Sequence, residues 1–116
     1  MWRVKNGSRY DLRASRRAGT AWPAPDTVAS GLVVWGSGDL AVDGSGNAVA
    51  VWHADGAAMR RRFTPGAGWK PAESLTSDVV TTRVRVVAGP RGHVAAWWAV
   101  AGAKSGEHAI SGAVLR

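Results

Sequence analysis

Leu40-Ala41-Val42-Asp43-Gly44-Ser45-Gly46-Asn47-Ala48-Val49-Ala50-Val51-Trp52 reads as two apolar runs around a turn rich in glycine and asparagine. Glycine and asparagine supply the positive φ that tight turns require. The same pattern returns in Val86-Val87-Ala88-Gly89-Pro90-Arg91-Gly92-His93-Val94-Ala95-Ala96-Trp97-Trp98, which places Trp98 46 residues after Trp52. A second pair aligns Arg13 to Trp22 with Arg60 to Trp69, about 47 residues apart, and each of these tryptophans is followed six residues later by an aliphatic, Val28 or Leu75. Trp2 then falls at the place of Trp52 and Trp98. The unit steps from Trp2 to Trp52 to Trp98.

Each unit accommodates four short strands. Asp39–Val42 and Arg83–Ala88 are first strands, and Ala48–His53 and His93–Val100 are second strands. Asn6-Gly7 and Asp55-Gly56 are hairpin turns into the third strands. There Tyr10, Leu12 and Ala14 alternate with Arg9, Asp11, Arg13 and Ser15, a period of two with one face buried. Leu12 and Met59 are expected at equivalent inward positions. Fourth strands are expected to start near Trp22 and Trp69, where Pro23, Pro25 and Pro71 suit an outer edge because proline lacks a ladder donor. A third strand of the last unit falls around His108–Leu115. No segment holds a 3.6-residue period over ten residues, so no substantial helix is expected.

A repeat of about 46 to 50 residues with four strands matches one blade of a β-propeller. The expected fold is all-β, a partial β-propeller of about two and a half four-stranded antiparallel blades. Residues 1–38 form a partial blade without its innermost strand, 39–82 a complete blade, and 83–116 a partial blade without its outermost strand. Ala41-Val42-Asp43, Gly46-Asn47-Ala48, Ala50-Val51-Trp52, Gly68-Trp69 and Pro71 resemble the Trp-anchored tandem repeats of bacterial, often actinobacterial, propeller-like proteins. The third unit departs from that pattern, with Gly89 and His93 in place of Asp43 and Asn47. The resemblance implies a sialidase-like or lectin-like propeller superfamily, usually exported, and carries no activity with it.

Composition narrows the classes. The chain has 116 residues, 46% of them apolar, with seven tryptophans, one Phe, one Tyr and no cysteine. A packed core is therefore within reach, and disulfides and thiolate metal sites are excluded. The net charge of +7 with 15 Lys+Arg favours acidic partners non-specifically. The abundance of Arg, Ala, Gly and Val is also what a GC-rich genome gives, so nucleic acid is not an expected partner. Met1 to Gly7 lacks the apolar run of a signal peptide, and no stretch reaches the ~20 apolar residues of a membrane helix. The compartment stays open, with export expected for the parent protein.

The chemistry-bearing motifs are thin. Asp43-Gly44-Ser45-Gly46-Asn47 opens like a calcium loop but has Ala48 and Ala54 where that loop needs Gly and a bidentate acid. A hairpin turn in which Asp43 bonds its own N–H groups is the better reading. Gly36-Ser37-Gly38-Asp39-Leu40-Ala41 matches a dinucleotide fingerprint, which works only ahead of a helix, and a strand follows. His53, His93 and His108 lack metal-ligand spacing, and no nucleophile elbow occurs. In Arg60-Arg61-Arg62, alternation sends Arg61 to the opposite side from its neighbours, its stem packing on apolar residues. No metal, cofactor or catalytic residue is assigned.

Trp2, Trp22, Trp52, Trp69 and Trp98 are expected to pack the units together, with Asp43, Gly46 and Asn47 shaping the turn. Trp35 and Trp97 lie off the repeat. With Asp39 and Asp55 they are the candidate ligand-binding residues, since an indole beside polar loops can stack on the apolar face of a sugar ring. The expected function is a non-catalytic repeat module that binds a glycan or a protein and belongs to a larger propeller. The alternative is a fragment of a sialidase-like glycan-processing enzyme whose site lies largely on other blades. Either way, further blades or self-association must cover the bare blade faces.

Overall fold

The computed structural model describes residues 1–17, 20–33, 35–75, 83–89, 93–101 and 108–115. Pro90–Gly92 of the second turn and the boundary at residue 82 lie outside the described residues. The chain is all-β, and no helix occurs among the described residues.

Three antiparallel sheets follow one another along the chain. The first contains β1 (Trp2–Asn6), β2 (Arg9–Ala14) and β3 (Asp26–Leu32) in that order. The middle sheet runs β4 (Trp35–Val42), β5 (Ala48–Ala54), β6 (Ala57–Thr64), β7 (Gly68–Trp69), and β8 (Glu73–Ser74) also pairs with β6. The third contains β9 (Arg85–Ala88), β10 (Val94–Ala101) and β11 (His108–Leu115).

The middle and third sheets share part of one register. In the middle sheet Asp39, Leu40 and Ala41 lie opposite Val51, Ala50 and Val49. In the third, Arg85, Val86 and Val87 lie opposite Trp97, Ala96 and Ala95. Each pairing is reproduced 46 residues on. The turns close alike: Asp43 N donates to Asn47 O at 2.9 Å, and Gly89 N to His93 O at 2.7 Å. Inside the first turn Asp43 Oδ1 accepts the N–H groups of Ser45 and Asn47 at 2.8 and 3.0 Å, as its sequence suggested. Asp55 and Gly56 both have positive φ, 54° and 77°, which is the hairpin geometry their pairing called for.

Strand β5 decides how the sheets stack. Its side chains alternate between two cores. Ala50, Trp52 and Ala54 join Leu12, Ala14 and Val28 of the first sheet. Val49 and Val51 join Val86, Val94, Ala96 and Trp98 of the third. The middle sheet is thus packed on both faces. Trp52 and Trp98, 3% and 4% exposed, each point back into the preceding sheet. Val28 and Leu75, the aliphatics of the second repeat pair, each lie against the core toward the following sheet.

Several sequence expectations are corrected. The first hairpin turns at Gly7-Ser8 rather than Asn6-Gly7, since Asn6 still pairs with Arg9. Counted from the turn, Val4 takes the place of Trp52, and Trp2 sits opposite Arg13 with 41% of its surface exposed. Leu12 and Met59 are not equivalent; they pack into one core from opposite sheets. The strand after Trp22 starts only at Asp26, beyond Pro23 and Pro25, and Trp22 is 67% exposed in the connection. Trp69 lies in β7, paired with Phe63, so the two tryptophans do not share a role. The middle sheet begins at Trp35 rather than Asp39. A bulge between Trp35 and Ser37 lets Gly36 sit under the His53 ring, where any Cβ would clash. This glycine pair is inside a strand, with no helix after it.

Candidate functional site

Four elements leave a groove between the first and middle sheets, at the end where β2 stops and β3 starts. It encloses about 230 Å³. That is below the ~300 Å³ at the low end for drug-sized ligands, and suits a single ring. Leu40 from β4, Phe63 from β6, Trp69 from β7 and Pro23 from the β2–β3 connection form apolar walls, with Arg16 and Asp26 beside them.

Local sequence places each group. The β6–β7 turn passes through Gly66 and Gly68, both at φ near +83°, a conformation that favours glycine. That tight return sets Trp69 directly across from Phe63, with ring centroids 5.4 Å apart and planes tilted by 59°. Arg61 lies 5.9 Å above the Trp69 ring, and Arg16 lies 5.3 Å above Phe63. Ser15 Oγ donates to Pro23 O at 3.1 Å, which ties together the connection that forms one wall.

Arg61 bridges the first and middle sheets. Its Nε donates to Lys70 O at 2.6 Å, and its Nη1 donates to Thr27 O and Val28 O at 3.0 and 2.9 Å. The planar fork of one guanidinium thus spans from the middle sheet to β3 of the first. Its neighbour Arg60 pairs instead with Glu73 on β8 at 2.7 Å, and this hydrogen bond holds the Glu73 carboxyl below its ordinary range. Alternation along β6 separates the two roles.

The candidates from the sequence are not gathered into one site. Trp35 is half-buried against the core between the first and middle sheets, with the Arg3 guanidinium 5.8 Å from its ring. Asp39 Oδ2 accepts the Val86 N–H at 3.0 Å, and Asp55 Oδ1 accepts the Val33 N–H at 3.1 Å. Both carboxylates therefore join chain segments. Trp97 stands on the outer face of the third sheet, 40% exposed. Tyr10 faces inward with the Arg3 guanidinium 4.9 Å from its ring.

Sequence reading missed the groove because it has no local motif. Phe63, Trp69, Leu40 and Arg16 come together only through sheet packing. The one available signal was Gly68-Trp69 after the chain's single Phe. Among the described residues no group of three His, Asp or Glu could hold a metal ion, and no helix is long and apolar enough to cross a membrane. Comparison with protein-family models, with curated proteins and with solved structures finds no match to the chain.

Proposed function

We propose that the chain supplies blades of a larger β-propeller, as a non-catalytic module that holds a sugar ring in the groove lined by Phe63 and Trp69. The observation that carries this is the apolar aromatic wall with one cation and one anion beside it. Sugar rings present an apolar C–H face to aromatic side chains and hydroxyls to polar ones. Arg16 donates hydrogen bonds and Asp26 accepts them. The groove lining contains a single carboxylate, Asp26, whereas most glycoside hydrolysis employs two flanking the bond.

The propeller part of the reading is supported by how the sheets converge. Each repeat starts at an inner strand, β4 or β9, and these two strands approach each other closely. Ser37 Oγ and Asp39 Oδ2 on β4 accept the N–H groups of Val84 and Val86, each at 3.0 Å. Sheets hinged at their first strands and packed face to face fan around an axis, as blades do. The thin dimension of the molecule, 21 Å, is about the length of one strand.

The test is a glycan panel, with free monosaccharides and an unrelated peptide library as further arms, read by tryptophan fluorescence. Binding of a saccharide that is lost in Trp69→Ala but kept in Trp22→Ala is expected. Binding of peptides alone, or saccharide binding indifferent to Trp69, would overturn the reading.

A further inference from the structure

The outer faces of the third and first sheets carry positions that match, in register, the two sides of the contact between the middle and third sheets. Moving 46 residues along the chain carries Ala41, Val49 and Val51 onto Val87, Ala95 and Trp97. In the middle sheet these positions face the third sheet, and Val51 there is fully buried. In the third sheet Ala95 is half-buried, and Val87 and Trp97 are among the exposed large apolar side chains. The opposite end shows the complementary face. Trp2 and Val4 pair with Arg13 and Asp11, on the side of the first sheet away from Leu12 and Ala14. That side corresponds to the one from which Trp52 reaches into the preceding sheet.

We propose that a second copy of this chain covers the outer face of the third sheet with the outer face of its own first sheet. Trp97 and Ala95 of one copy would lie against Trp2 and Val4 of the other. The proposal rests on the propeller reading above. The contact is heterologous, so it must close into a ring or run on as a filament. Three sheets from each of two copies make six, within the four to eight of closed propellers. Three copies would make nine, outside that range. The internal interface between the middle and third sheets is the template.

Charge adds a signature. Arg83 and Arg85 flank the third-sheet face, and Arg9 and Arg13 the first-sheet face, where the one carboxylate paired with Val4, Asp11, is buried and bonded to the Asn6 amide and the Gly31 N–H. Like charges meet, so burial of apolar surface must drive association and salt must strengthen it by screening the repulsion. A polyanion partner would show the reverse dependence.

The experiment is molar mass across concentration at 50 and 500 mM salt (roughly a threefold change in Debye length), on the wild-type chain, Trp97→Arg and Trp2→Arg. Dimers of twice the 12.1 kDa chain are expected, favoured by salt, with each variant weakening association at least tenfold. Circular dichroism of each variant reports whether it folds. Because the chain has no native cysteine, Ala95→Cys and Val4→Cys chains give a directional check with a short bis-maleimide. Cross-linking only in their mixture is expected. Cross-linking of Ala95→Cys alone, or a monomer at every concentration, would overturn the proposal. Saccharide binding at Trp69 is read separately, so either idea can fail without the other.

Discussion

Asp39 Oδ2 accepts the backbone N–H of Val86 at 3.0 Å, joining the first strand of the middle sheet to the first strand of the third. Ser37, two residues earlier on the same strand, does the same for Val84. The N–H groups of an edge strand are a liability when unpaired. Here side chains of the middle sheet satisfy two of them, Val84 and Val86, although no ladder joins β4 to β9.

Removing that acceptor should loosen the third sheet selectively. Asp39→Ala is expected to cost about 1–3 kcal/mol, since it leaves a part-buried N–H without its charged partner. Amide hydrogen exchange should accelerate at Val86 while the amides of β2 keep their protection. Asp39→Asn retains one oxygen acceptor and should lose less. Equal acceleration in all three sheets would show that Asp39 acts on global stability alone.

Arg61 offers a test of planar chemistry. Its guanidinium holds three carbonyls, Lys70, Thr27 and Val28, and a compact ammonium cannot reproduce the fork. Arg61→Lys is expected to destabilise by about 1–2 kcal/mol in urea melts. The neighbouring Arg62→Lys should stay within about 0.5 kcal/mol. Matching effects at the two positions would remove the clamp from the account.

The tryptophans separate by burial rather than by sequence likeness. Trp98→Ala should cost about 3–5 kcal/mol as a large buried side chain, whereas Trp22→Ala, at 67% exposure, should fall within about 0.5 kcal/mol. Trp98 Nε1 is buried without a partner among the described residues. Trp98→Phe removes that donor together with some apolar surface, so its cost should be well under that of Trp98→Ala.

The turn from Asp43 to Asn47 and the strands on either side of it were legible in the sequence because turn chemistry is local. Asp43 to Asn47 announced its own hydrogen bonds. Trp2 and Trp22 were misplaced for a physical reason. The first hairpin turns one residue later than Asn6-Gly7 suggests, and Pro23 and Pro25 delay the outer strand until Asp26. A tryptophan's spacing survived in both cases while its packing did not. Asp39 and Asp55 read as candidate ligand-binding residues because their partners, Val86 and Val33, come from other sheets or connections. Nothing near them in sequence signals those bonds.

Asp43 gives a pH prediction with a definite sign. The Asn47 side-chain amide, and then the turn's backbone N–H groups, hold its carboxyl below its ordinary value. A folded-state pKa below the unfolded one means the stabilising contribution is complete above the unfolded value, near ~3.9. It is lost as pH falls through the folded value. Carbon-detected titration should place the Asp43 midpoint below that of an unstructured aspartate, and Asn47→Ala should raise it. An unchanged midpoint in Asn47→Ala would remove the side-chain amide as the cause.

The most direct check on the stack of three sheets is a nuclear Overhauser experiment on the two buried indoles. Proton contacts from Trp52 to the Leu12 methyls and from Trp98 to the Val51 methyls are expected, because each ring enters the core shared with the preceding sheet. Contacts from Trp98 confined to its own sheet, with none to Val51, would contradict the account.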